Sequence, residues 1–249
     1  MIRCFAHPTA PEIIRYFRKG RKLEMNVDLR VEALLDLSKT IASGIFDGLV
    51  YPWEALPLIK DFILALGPAL PADEYEQRGE DIWIAKSAKV AESAYLHGPL
   101  IICPDAEVRH CAFIRGSAIV GRGSVIGNST ELKNCIIFDG AQVPHYNYIG
   151  DSILGYKAHL GAGAITSNLK SDRSMVTIRT GDEKLDTELK KFGAIVGDNV
   201  EIGCNSVLNP GTVICRRTNV YPLSMVRGIV PPDSIYKKQG EVADKIYDR

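Results

Sequence analysis

From Ile84 onward a large apolar residue returns at every sixth position: Ile84, Val90, Leu96, Ile102, Val108, Ile114, Val120, Ile126, Leu132 and Phe138. Two residues before them lies a position that is mostly small, occupied by Ala88, Ala94, Leu100, Ala106, Ala112, Ala118, Ser124 and Thr130. An α-helix cannot use this period, because six residues turn it by roughly 600° and scatter the apolar side chains around its surface. A prism of short parallel strands can, since each hexad forms one side and points one bulky residue inward. No hexad buries that residue alone, so the hexads must stack into a solenoid. The register breaks at Pro144 and resumes at Leu154 and Leu160. After a polar stretch it returns as Val196, Ile202, Leu208, Ile214, Val220 and Val226.

The pattern resembles that of the hexapeptide-repeat acyltransferases, which implies an all-β solenoid: a left-handed parallel β-helix with three hexads to a coil. The expected organisation is a small helical N-terminal region (1–80), the β-helix (81–234) with a loop excursion at 167–193, and a C-terminal tail (235–249). Within the first region, Thr9-Ala10-Pro11-Glu12 reads as a helix start followed by Ile13, Ile14 and Phe17. A second helix is expected over 29–41. A third is expected over 52–67, with Trp53, Leu56, Ile59, Phe62, Ile63 and Leu66 on one stripe and Pro57 kinking or starting it.

Lys and Arg together number 30, as do Asp and Glu, so the formal charge is zero and no field for nucleic acid is expected. The apolar run Phe62-Ile63-Leu64-Ala65-Leu66 is far too short for a bilayer, and the N-terminus lacks the apolar core of a signal peptide. Six cysteines without a C-x-x-C pair read as free thiols in a reducing cytoplasm. The other histidines (His7, His97, His110, His159) make no three-histidine zinc set, so no metal is required.

Chemistry is expected where hexads are interrupted, at 143–151 and at 167–193. Arg115 and Lys133 are 18 residues apart, so three-hexad coils would stack them about 4.8 Å apart. Stacked cations need an anion between them. A phosphate satisfies this, and so does Glu131 or another carboxylate. His145, inside the first interruption, is the candidate general base for acyl transfer to an amine. A lone histidine is more often structural; its place in the break favours catalysis.

Three stretches carry a closer resemblance: Asn128-Ser129-Thr130-Glu131-Leu132-Lys133, then Pro144 to Asp151, then Leu160-Gly161-Ala162-Gly163 running on to Asn168. In order and spacing they resemble the C-terminal acetyltransferase half of the bifunctional GlmU family, over about residues 84–232. That resemblance implies His145 as catalytic base, Arg115, Lys133, Tyr148 and Asn168 as sugar-phosphate contacts, and Ala162 and Cys204 as lining of an acetyl-CoA groove. It also implies a homotrimer with sites between neighbouring prisms. Pro144, His159 and Leu169 depart from the family pattern. A Gly-rich nucleotidyltransferase loop is not found in this sequence, so uridyltransferase activity is not expected.

The expected function is acetyl-CoA-dependent N-acylation of an amino-sugar phosphate, such as glucosamine-1-phosphate, or of a nucleotide-sugar. The other class is a non-catalytic sugar-nucleotide-binding or assembly module.

Overall fold

The computed structural model describes residues 15–18, 21–24, 27–180 and 183–246. Short parallel strands stack into the three sides of a prism of about eight coils. One side begins with Ile82–Ala85, Leu100–Ile102 and Ala118–Val120 and ends with Ala194–Val196, Thr212–Ile214 and Ile229–Val230. A second contains Tyr95–His97, Phe113–Arg115, Ile165–Thr166, Val207–Leu208 and Met225–Val226. The third runs from Lys89–Val90 to Ser234–Lys238. The longer strands Glu131–Ile137 and Tyr148–Leu154 cross a corner and serve the first two sides together.

The corners turn on left-handed residues. Cys111, Ser129, Tyr146, Asn205 and Leu223 form one such column, with φ between 51 and 58°. Inside the prism the hexad residues are sealed from water, Ile114, Val120, Ile126 and Leu132 all at 0% exposure. Each such side chain contributes about 1.5–3 kcal/mol by burial, which is what holds the coils together.

The register slips at two points that differ from the expected one. Ala118 pairs with Leu100, 18 residues back, but Cys135 pairs with Ala118 and Ser152 with Cys135, each 17 back. The inward series therefore runs Leu132, Ile137, Val143, Ile149, Leu154, with two steps of five. Pro144 is not the breaking point. Phe138 is not an inward residue; it sits one place on, at a corner, and its ring meets Phe46 of the N-terminal region at 6.1 Å.

On the first side the outward residues are apolar too: Ile101, Ile119, Ile136, Ile153, Ile195 and Val213, all 0% exposed. They are buried because residues before the β-helix lie along that side, with Ile59–Leu66 against the strands Ala118–Val120 and Glu131–Ile137. The N-terminal region thus covers a face, and its strand Tyr75–Gln77 caps the end, pairing antiparallel with Ile82–Ala85. At the other end Glu241–Asp244 pairs antiparallel with Ser234–Lys238. Both caps blunt edges that would otherwise offer unpaired backbone groups.

Local structure in this region corrects the sequence reading. The helix start at residues 9–14 lies outside the described residues, and Phe17 falls in a strand, Arg15–Arg18, paired antiparallel with Arg21–Glu24. The helix expected over 29–41 survives only as Val31–Leu34 and a 3₁₀ turn at Leu37–Lys39. Asp36 breaks it: its carboxylate takes the Ser38 N–H at 3.0 Å, and its own N–H is claimed by Asp198 of the β-helix at 2.8 Å. The third segment begins as a 3₁₀ stretch, Pro52–Leu58, and becomes α-helical at Ile59, two residues after Pro57.

Between Thr166 and Ala194 the chain leaves the prism and forms a hairpin, Thr177–Thr180 with Glu183–Asp186. Side chains patch the opened ladder. Gly150 N–H donates to Thr166 Oγ1 at 2.9 Å, and Ala194 N–H to Ser152 Oγ at 3.0 Å.

Candidate functional site

The two shortened hexads meet at one corner, and the chemistry collects there. Asn134 and Asp151 each occupy the left-handed corner conformation, with φ of 48 and 46°, which Asn and Asp tolerate better than other residues with a Cβ. Asp151 is buried, and its carboxylate is the hub of a hydrogen-bonded group. Lys133 Nζ donates to Oδ2 at 2.8 Å and to Oδ1 at 3.0 Å; Asn134 Nδ2 donates to Oδ1 at 2.9 Å. Asn168 Nδ2 donates to Oδ2, and also to the Tyr148 hydroxyl at 3.3 Å. Asn134 Nδ2 donates to the Leu56 carbonyl at 3.2 Å as well, tying the N-terminal region to the hub.

Arg115 and Lys133 lie on adjacent coils, immediately after the paired residues Phe113–Glu131 and Ile114–Leu132. Each cation has its own carboxylate, Arg115 with Glu131 at 2.6 Å and Lys133 with Asp151. The tyrosine joins the same surface. Burial, then Asp151 and Glu131, push the Tyr148 hydroxyl above its ordinary value, against the opposing pull of the Arg115 charge, so it stays neutral. Gly150 lies beneath it: a Cβ there would come 2.5 Å from the Tyr148 hydroxyl oxygen, so any other residue would displace the ring.

His145 stands across the next corner, at the end of the strand Gln142–His145, with its ring exposed. Among the described residues its imidazole has no side-chain hydrogen bond, and it is not part of the Asp151 group. Its backbone is firmly held. Asn147, buried at 3% exposure, accepts the His145 N–H at 3.1 Å and donates to the carbonyls of Gly161 at 2.9 Å and Ala164 at 3.1 Å.

The same corner carries Ala162 and Cys204 on the following coils. Backbone bonds link them in a column: Gly163 N–H to the His145 carbonyl at 2.9 Å, Asn205 N–H to Ala162 at 2.8 Å, and Leu223 N–H to Cys204 at 2.9 Å. Gly161 does not open space for a ligand. A Cβ there would meet the Cys204 nitrogen at 2.8 Å, so this glycine lets the next coil stack.

The sequence reading named His145, Arg115, Lys133, Tyr148, Asn168, Ala162 and Cys204. The structure gathers Arg115, Lys133, Tyr148 and Asn168 on one side and His145, Ala162 and Cys204 at its edge. It adds Asp151, Asn134 and Asn147, whose places follow from the 17-residue step rather than from the hexads.

A hexad prism bearing a histidine at one corner and paired cations with amide groups on the adjoining side defines the class to which sequence comparison points. Residues 96–218 match the family model described as the GMPPB C-terminal domain. Over 129 residues the chain is 36% identical to the bifunctional protein GlmU of Methanococcus aeolicus, covering 51% of this chain and 31% of that protein. It is 28% identical over 190 residues to the bifunctional sugar-1-phosphate nucleotidylyltransferase/acetyltransferase of Sulfurisphaera tokodaii, covering 75% of this chain and 47% of that protein. An uncharacterised acetyltransferase of Escherichia coli, YaiX, is 28% identical over 66% of this chain and 71% of its own length. The chain thus spans less than half the length of the two bifunctional relatives. Its β-helix is a GlmU-like C-terminal domain.

Proposed function

We propose that the chain is an acyl-CoA-dependent N-acyltransferase, with acetyl-CoA as donor and an amino sugar bearing a phosphate or nucleotide as acceptor. The observation that carries this reading is the adjacency of two unlike surfaces. One is the corner column of His145 and Cys204, both exposed, with the half-buried Ala162 between them; the other is the polar group of Arg115, Lys133, Tyr148 and Asn168. The names of the relatives, which include an acetyltransferase and a bifunctional sugar-1-phosphate nucleotidylyltransferase/acetyltransferase, support the same class.

In this reading the acceptor phosphate lies against Arg115 and Lys133, and Tyr148 and Asn168 orient the sugar. The pantetheine arm runs along Ala162 and Cys204. The acceptor nitrogen attacks the thioester carbonyl carbon while His145 takes the amine proton; the C–S bond then breaks and CoA leaves as the thiol. Positioning supplies the remaining rate, since both reactants are held at one corner.

The test is His145→Ala. Turnover of acetyl-CoA with glucosamine-1-phosphate should fall by roughly 10²–10⁴-fold, the usual worth of a general base, with thermal unfolding and acetyl-CoA binding unchanged. Near wild-type turnover overturns the assignment.

A homotrimer is part of the proposal. Tyr95, Phe113, Ile165 and Met225 stand exposed on the second side, and Tyr146 and Leu223 on the corner beside it, an apolar stripe of the kind that another copy covers. Sedimentation should give about three times the 27.4 kDa chain mass; a monomer at micromolar concentration counts against it. Buried free thiols at Cys103, Cys135 and Cys215 suit a reducing cytoplasm.

One observation favours the second reading, a binding module without catalysis. Each cation is already neutralised by a carboxylate, and His145 has no orienting side-chain partner among the described residues. Binding of acetyl-CoA separates the two, because a module that only senses sugar nucleotides has no use for it.

A further inference from the structure

The outward row that carries Arg115, Lys133 and Gly150 continues upward through Ser167, Asn209 and Arg227, each directly after a paired strand. Where the excursion leaves the prism beside this row, it encloses a groove of about 410 Å³. Lys170 and Lys184 line it from the excursion and Arg227 from the prism, with Asp172 as the carboxylate facing them. Lys170 is 3.7 Å from Asp172 and is also held by Ser174. Among the described residues Lys184 and Arg227 have no carboxylate within ion-pair distance.

Charge decides where an anion goes. At the hub two cations face two carboxylates at 2.6 and 2.8 Å, and a phosphate there must displace them or share them. Among the described residues, three cations face one carboxylate in the groove, and Lys184 and Arg227 have no ion-pair partner there. A multiply charged anion is stabilised most where the local charge is not already balanced, and Lys and Arg can both hydrogen-bond its oxygens. The hydroxyl of Ser167 and the second N–H of the Asn209 amide, whose first goes to the Val226 carbonyl at 2.9 Å, add neutral donors on the same wall. Ser167 is next in the chain to Asn168, which touches Tyr148 and Asp151, so the groove opens directly beside the hub.

We propose that this groove binds the diphosphate of a nucleotide, with the group that the nucleotide carries reaching Asn168 and Tyr148. What it carries rests on the acyltransferase reading: a nucleoside-diphosphate-linked amino sugar places its amine toward His145, whereas CoA places its adenosine phosphates here. The diphosphate chemistry is common to both.

Calorimetric titration of the full chain with inorganic pyrophosphate tests the site without any turnover. Wild type should bind it saturably, more weakly at higher salt, and Lys184→Ala/Arg227→Ala should lose at least tenfold in affinity. Both side chains are exposed, so the double variant should keep the wild-type melting temperature. Equal affinity in the two proteins, or no saturable binding by wild type, overturns the proposal. Parallel titrations with UDP, GDP and CoA assign the source. A loss confined to UDP and GDP makes the groove an acceptor site, and a loss confined to CoA makes it a donor site. Pyrophosphate binding that is intact and groove-dependent in a chain without acetyl transfer would sustain this site while removing the transferase reading.

Discussion

Lys133 and Asp151 are joined at 2.8 Å although they are not register partners; the residue opposite Lys133 on the next coil is Gly150. The coil is one residue short at this corner, which brings Asp151 round to the lysine. Its turned backbone aims the carboxylate at three donors, two from the strand Glu131–Ile137 of the preceding coil and one from the excursion. Asp151→Ala should therefore leave a half-buried ammonium without its acceptor and two amides with only their weaker ones, the Leu56 carbonyl and the Tyr148 hydroxyl. Loss of a buried pair member costs roughly 3–5 kcal/mol, and partial solvation of Lys133 lowers that to about 2–3. Thermal denaturation checks the figure. Asp151→Asn, which keeps the shape, should lose less stability but raise the acceptor KM, because Lys133 and Asn168 lose their fixed positions. A variant as stable as wild type would show that the hub does not organise the corner.

How much of this was legible beforehand depends on which period governed a residue. The strict hexad from Ile84 to Leu132 placed the core correctly and put Arg115 beside Lys133. It failed at Phe138, because two five-residue steps carry almost no periodic signal against a background rich in apolar residues. The same slip hid Asp151 and Asn134, which become neighbours only in a 17-residue coil. The covering of one side was hidden for another reason. Alternation in strands such as Leu100-Ile101-Ile102 is lost when both faces are buried, so the continuous apolar triplets were the available sign of a second layer. Asp36 shows tertiary contact overriding helix propensity, which no local pattern contains.

Thiol labelling gives a direct test of the corner column. Burial pushes Cys103 and Cys215 up to about 12 and raises Cys135 as well, while Cys111 and Cys204 are exposed. A maleimide at neutral pH should therefore modify Cys111 and Cys204 and spare Cys103, Cys135 and Cys215 in the folded protein, as mass spectrometry of peptides would read. Saturating acetyl-CoA should slow modification of Cys204 severalfold and leave Cys111 unchanged. Equal rates at Cys204 with and without acetyl-CoA would move the donor groove elsewhere.

Asp198 offers the clearest pH dependence. It pins the N-terminal region to the β-helix, accepting the Asp36 N–H at 2.8 Å and the Tyr156 N–H at 2.8 Å, with Arg216 at 3.1 Å. Burial raises its carboxyl above the ordinary value of 3.8; the Tyr156 N–H, Arg216 and the Asp36 N–H pull it back, and the Asp36 carboxylate adds to the rise. The folded chain thus holds this proton more tightly than the unfolded chain. Between 3.8 and the raised folded value the native state binds more protons, so stability from this group falls as pH rises through that window and is constant above it. In Asp198→Asn that slope is absent, though the variant carries a constant offset from its altered hydrogen bonds. The melting temperature of wild type minus that of the variant should accordingly decrease from pH 4 upward and then level off. A difference that grows with pH would mean that the three donors outweigh burial and that the carboxylate, not the acid, is the form the fold prefers.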